Sequence, residues 1–160
     1  MNKENTLSWW WLLPVILLPN AIGNLGALYT IPNIDTWYAI LEKPTLNPPN
    51  WIFGPVWLTL YTLMGVALFL VWRAKSNKVK KIANQIFFIQ LILNLAWSVV
   101  FFGLHEVGWA LAIIIALIVL IAMNIYYYKQ ISKAAAWLLV PYILWVGFAT
   151  YLNYSILVLN

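Results

Sequence analysis

Five apolar runs, at about 7–29, 50–72, 82–103, 107–128 and 134–158, leave this chain little choice of environment. Each is near the ~20 residues that an α-helix needs to cross the ~30 Å hydrocarbon core of a bilayer. In hydrocarbon every backbone N–H and C=O must find its partner within the segment, so such runs become helices. Apolar residues make up 64% of the chain and charged residues 8%, too little polar surface to cover a water-soluble domain. The spacing predicts an all-α integral membrane protein. Residues 1–160 form one bundle of five transmembrane helices, with a structured loop between helices one and two. The first run is longer than a signal-peptide core and no small-x-small site follows it at the right distance, so it is read as an uncleaved helix.

The net charge of +5 is a topology signal rather than a nucleic-acid one. Of nine basic residues, Arg73, Lys75, Lys78, Lys80 and Lys81 cluster at the end of the second run. Lys3, this cluster, Lys129 and Lys133 fall on one side if all five runs span, and Asp35, Glu42, Lys43 and Glu106 fall on the other. Positive residues favour the inner side, which predicts N-terminus inside, C-terminus outside and the first loop outside. Trp9–Trp11, Trp72 and Tyr126–Tyr128 then read as interfacial belts.

Polar residues within the runs mark faces that cannot meet lipid. In the third run Gln90, Asn94, Trp97, Ser98 and Phe101 share one helical face, which lines a cavity or glues helices together. In the fifth, Tyr142, Trp145, Ala149 and Asn153 form a similar stripe. In the first, Asn20, Gly23, Asn24 and Ala27 recur at i, i+3, i+4, i+7, and their small size reads as helix packing. The fourth run has little polarity and reads as a packing helix. With a rise of ~1.5 Å per residue, Trp57, Asn94, Trp97 and Trp145 occupy one slab in the outer half of the bundle.

The loop above that slab carries Pro44, Pro48 and Pro49, which lack N–H donors and hold the preceding residues out of helix. Asn47 before the two prolines predicts an N-cap, and Pro55 predicts a kink. The stretch W-Y-x-x-L-x-K-P-x-x-x-P-P, followed by W-x-F-x-P-V-W-x-x-L-Y-x-x-M-G, resembles the translocator protein family, also called tryptophan-rich sensory proteins. QLILNLAWSVVFF (Gln90–Phe102) and PYILWVGFATYLN (Pro141–Asn153) match further family blocks.

The resemblance, to a bacterial-type member, implies a multi-pass protein of the bacterial cell membrane, commonly a homodimer. Such proteins bind porphyrins and other tetrapyrroles, protoporphyrin among them, and related flat apolar ligands, with no cofactor required. Carried onto matching positions, the ligand would meet Tyr38, Pro48, Trp57, Tyr61, Asn94, Trp97, Trp145 and Ala149. Lys43, the one basic residue assigned outside, either faces a ligand carboxylate, snorkels at the interface or pairs with Glu42. The leading expectation is a tetrapyrrole sensor or regulator. The alternatives are a transporter of porphyrins or sterols and a light-dependent porphyrin-degrading enzyme, with Trp57 and Trp145 as its candidate catalytic residues. Leu152 and Tyr154 are followed by SILVLN without a basic residue, so the sterol motif of eukaryotic members is not matched.

Other chemistry finds no support in the residues. Without cysteine the chain has no disulfide or thiolate site, and His105 is its one histidine. That histidine reads as a turn residue, so neither a metal site nor a hydrolytic triad is expected.

Overall fold

The structure, a computed structural model, describes residues Leu7–Asn160, so Lys3 lies outside the described residues. Among them, five helical segments are long and apolar enough to cross a membrane. A 3-10 turn, Trp9–Trp11, enters α1 (Leu12–Ile34), and a single turn α2 (Trp37–Ile40) lies in the first loop. The others are α3 (Asn50–Arg73), α4 (Lys78–Ser98) ending in a π-helical turn (Val99–Gly103), α5 (Val107–Ile131), α6 (Lys133–Leu138) and α7 (Val140–Leu159). These match the expected spans to within a few residues, with instructive exceptions.

The first span runs to Ile34 rather than to about residue 29. Pro32 leaves a carbonyl without its backbone donor, yet the helix continues. Side chains also bond back along it: Thr30 Oγ1 donates to the Gly26 carbonyl, Asn33 Nδ2 to Tyr29 and Thr36 Oγ1 to Pro32. The fifth span is two helices. Pro141 cannot donate, and its ring crowds the carbonyl four residues back, so the chain closes α6 with a Leu139 N–H bond to Ala136 and restarts as α7. Asn47 is not the cap of α3. That helix starts at Asn50 behind Pro49 without a side-chain cap, because Asn47 is engaged by Tyr38.

Lys78, Lys80 and Lys81 belong to the start of α4 rather than to a loop. Cations at a helix N-terminus oppose its dipole. Lys80 answers this by donating to the carbonyls of Trp72 and Ala74, 2.7 Å each, at the C-terminal end of α3.

Around the bundle α1 packs between α3 and α4, α5 lies between α4 and α7, and α6 closes the ring against α3. At Gly65, α1 and α3 approach through their backbones. A Cβ on Gly65 would lie 2.5 Å from the Ile16 Cα, so only glycine lets the backbones come this near. From there to the basic end Met64, Ala67, Leu68, Phe69 and Val71 of α3 are wholly buried.

Candidate ligand-binding cavity

At the loop end the helices stand apart around a cavity of about 340 Å³. Its roof is the first loop, held down by aromatic contacts. Trp37 stacks on His105 at 4.2 Å between ring centroids and meets Phe101 and Phe102 edge-on. Such ring pairs add ~0.5–1.5 kcal/mol each beyond area burial. The buried Tyr38 donates to Asn47 Oδ1 at 2.8 Å, and burial pushes its phenol up to about 12. At the far side Asn160 pairs twice with the Glu42 backbone, accepting from its N–H and donating to its carbonyl. His105, the turn residue between α4 and α5, holds φ 59° and lies 3.2 Å from Asn33 Oδ1 through Nε2.

The walls come from four spanning helices. Trp57 and Tyr61 of α3 stack at 5.4 Å and 26°, and Trp97 and Phe101 at the other end of α4 stack at 5.2 Å and 20°. Trp145 and Ala149 come from α7. The π-helical turn is the reason Phe101 and Phe102 both face inward: its Leu104 N–H reaches back five residues to Val99, widening the helix. No residue of α5 lines the cavity.

Of the sequence-predicted site residues, Tyr38, Trp57, Tyr61, Trp97, Trp145 and Ala149 line this space together. Asn94, Lys43 and Pro48 do not. Asn94 is buried behind the wall, where it accepts from Tyr61 and donates to Tyr142 at 3.2 Å, joining α3, α4 and α7. Its amide oxygen and nitrogen each have a partner on a neighbouring helix, which is the gluing reading of the α4 stripe. Lys43 donates to the carbonyls of Ala39 and Leu41 and lies 4.8 Å over the Tyr38 ring, so it terminates α2 and faces neither the cavity nor Glu42. Burial lowers its ammonium pKa from the ordinary value. Pro48 shapes the approach to α3.

The α1 face is corrected in the other direction. Asn20, Gly23, Asn24 and Ala27, read as packing, all line the cavity. Gly23 also packs: a methyl there would run into the Tyr61 ring. The i, i+3, i+4, i+7 pattern was the signal, and small residues satisfy both roles.

The indole N–H groups differ in their commitments. Trp97 Nε1 donates to Asn153 Oδ1 at 3.0 Å, and Asn153 in turn donates to the Val107 carbonyl at 2.9 Å. Trp97 therefore offers the cavity a ring face only. Trp145 Nε1 is buried without a protein partner. The residue lines the cavity, but this N–H is closed off from it.

Residues 15–159 match the TspO/MBR family. The chain belongs to that family. It is 43% identical over 152 residues to the tryptophan-rich protein TspO of Archaeoglobus fulgidus, covering 93% of this chain and 96% of the relative. It is 40% identical over 140 residues to the translocator protein of Bos taurus, with 86% and 83% covered. With the tryptophan-rich sensory protein of Cereibacter sphaeroides the identity is 32% over 154 residues, covering 96% and 94%. The TspO/MBR match also makes this an integral membrane protein, in line with its five spans. Within the loop motif that first suggested the family, Trp37, Tyr38, Lys43 and Asn47 build the roof itself.

Proposed function

We propose that the cavity binds a flat tetrapyrrole of the porphyrin type and that this TspO/MBR member acts as a membrane-embedded sensor or regulator of such pigments. The observation that carries the reading is the set of ring faces that α3, α4 and α7 turn into one space. A large π-system of low polarity gains area burial there and ~0.5–1.5 kcal/mol more for each aromatic contact. At about 340 Å³ the space is near the lower end of the roughly 300–1,000 Å³ of small-molecule sites. A macrocycle with acidic arms therefore extends beyond it, at the loop or between α1 and α3, where the lining residues Ile31 and Leu58 are exposed. The name "tryptophan-rich sensory protein" carried by one relative accords with a sensing role.

The test is titration of protoporphyrin into the purified protein in lipid nanodiscs, read by tryptophan quenching. Saturable binding to the parent protein is expected. Trp57→Ala should weaken it by about threefold or more, while Trp109→Ala, on the exposed side of α5, should leave it unchanged. Equal affinities of the two variants would remove the cavity from the reading. Pigment loss on illumination would favour the enzymatic alternative.

A further inference from the structure

The first loop is fastened over the cavity by a ring that belongs to another turn. His105, between α4 and α5, lies face to face with Trp37 of α2, with 4.2 Å between ring centroids and 11° between planes. Histidine is the side chain that ordinarily gains or loses its charge between pH 5 and 8. This one is exposed, so the aqueous side that the loop faces can deliver its proton and take it away.

The neighbours fix where that proton goes. Asn33 Nδ2 donates to the Tyr29 carbonyl at 2.9 Å, which leaves its Oδ1 to face His105 Nε2 at 3.2 Å. An acceptor at that place requires a hydrogen on Nε2, in the neutral ring as in the imidazolium. A proton taken up therefore lands on Nδ1, and the bond to Asn33 survives. Two contacts then strengthen together. The Nε2–H bond becomes charge-assisted, and such bonds are roughly twice as strong as neutral ones. The ring over Trp37 becomes a cation on an indole face, the aromatic surface that attracts cations best. Because the ring is exposed, desolvation does not oppose the new charge.

The surrounding elements carry few charges, and their signs agree. Asp35 closes α1 two residues from Trp37, and Glu106 follows His105 in its own turn, both carboxylates that suit a cation. The π-helical turn brings only Phe101 and Phe102 to Trp37. Within α2 the titratable group is the Tyr38 phenol, pushed up to about 12 and so neutral in this range. Lys43, the cation of the loop, is engaged by the carbonyls of Ala39 and Leu41.

We propose that the Trp37–His105 stack is a pH-sensitive fastener of the roof, tightened when His105 takes a proton on Nδ1 and loosened when it gives that proton up. The closed loop favours the charged ring, so its hold is greatest in acid and weakens as pH rises through neutrality. This concerns the roof itself and stands whichever ligand the cavity takes.

Hydrogen exchange of the Trp37–Asn47 amides in nanodiscs, at about pH 5 and about pH 8, tests it. Rates are taken relative to an unstructured peptide of the same sequence, which removes the intrinsic pH dependence of exchange. Protection in the parent protein should be about threefold or more higher in acid, while the amides of α5 should show no such change. His105→Asn, which cannot titrate here and tolerates the φ of 59° in the turn, should give equal protection at both pH values. Equal or lower protection of the parent loop in acid would overturn the proposal. So would a rise shared by α5, or one that persists in His105→Asn, since Asp35 or Glu106 would then carry it. If the variant does not fold, the parent protein with α5 as its internal reference still decides.

Discussion

The two ends of α3 lie in the same bundle with the same apolar composition, and they behave differently. From Met64 to Val71 the inward side chains are wholly buried against their neighbours, whereas from Asn50 to Leu58 they are half-buried or exposed around the cavity. The difference begins at Gly65. Backbone contact with Ile16 draws α1 and α3 together at the basic end. At the loop end bulky rings and paired amides hold the helices apart. Tyr61 reaches Asn94 and Asn94 reaches Tyr142, so three helices are kept at side-chain distance instead of backbone distance. A cavity in a membrane bundle therefore needs a tight end to hold the helices and long polar struts to keep the other end open. Apolar character alone distinguishes neither.

Two glycines test that contrast most directly. Gly65→Ala places a Cβ against the Ile16 backbone, which no rotamer can relieve, and should cost about 1–3 kcal/mol in thermal or denaturant unfolding. Gly54→Ala, at the cavity end of the same helix, meets nothing within 4 Å and should gain up to about 1 kcal/mol from helix propensity. Equal stability of the two variants would mean that the ends of α3 are not packed differently.

Two tryptophans sharpen it within the cavity. Trp97→Phe strands the buried Asn153 Oδ1 and should lower stability by about 1–3 kcal/mol without ligand. Trp145→Phe removes a buried N–H that has no protein partner, so unfolding of the ligand-free protein should scarcely change. Parallel losses of stability would show that the Trp145 N–H also has a structural partner.

The smallest expected effect is confined to the roof. The Tyr38 phenol titrates at about 12 in the folded loop against an ordinary 10, so the folded loop holds the proton more tightly. Its contribution is complete below pH 10 and fades as pH rises toward 12, when a buried phenolate would lose its bond to Asn47. Hydrogen exchange in the Trp37–Asn47 segment should accelerate across that range, and Tyr38→Phe should abolish the alkaline step. An identical step in the variant would assign it to another group.

The spans, the loop and most of the cavity wall were legible in the residues, because bilayer length and helical spacing act locally. Trp57, Trp97 and Trp145 could be placed at one depth by counting rise along each run. What failed was any inference that needed the identity of the residue opposite. Asn94 and Trp97 lie on one face and carry the same signal, yet one is a strut behind the wall and the other is part of it. Asn47 before two prolines looks like a cap until Tyr38, nine residues earlier in sequence, takes its carboxamide oxygen. Lys43 looks like an anion partner until the carbonyls that end α2 are seen beneath it.

The sequence alone therefore determined the solvent, the number of spans and the family, since each follows from patterns read within a single segment or motif. The tertiary structure decided which polar groups find a protein partner. In a bundle every buried donor seeks the nearest acceptor, and nearness is set by the order of helices around the ring. That order puts Asn153 within reach of the Trp97 indole and leaves Trp145 Nε1, with the same chemistry one helix away, without a protein partner.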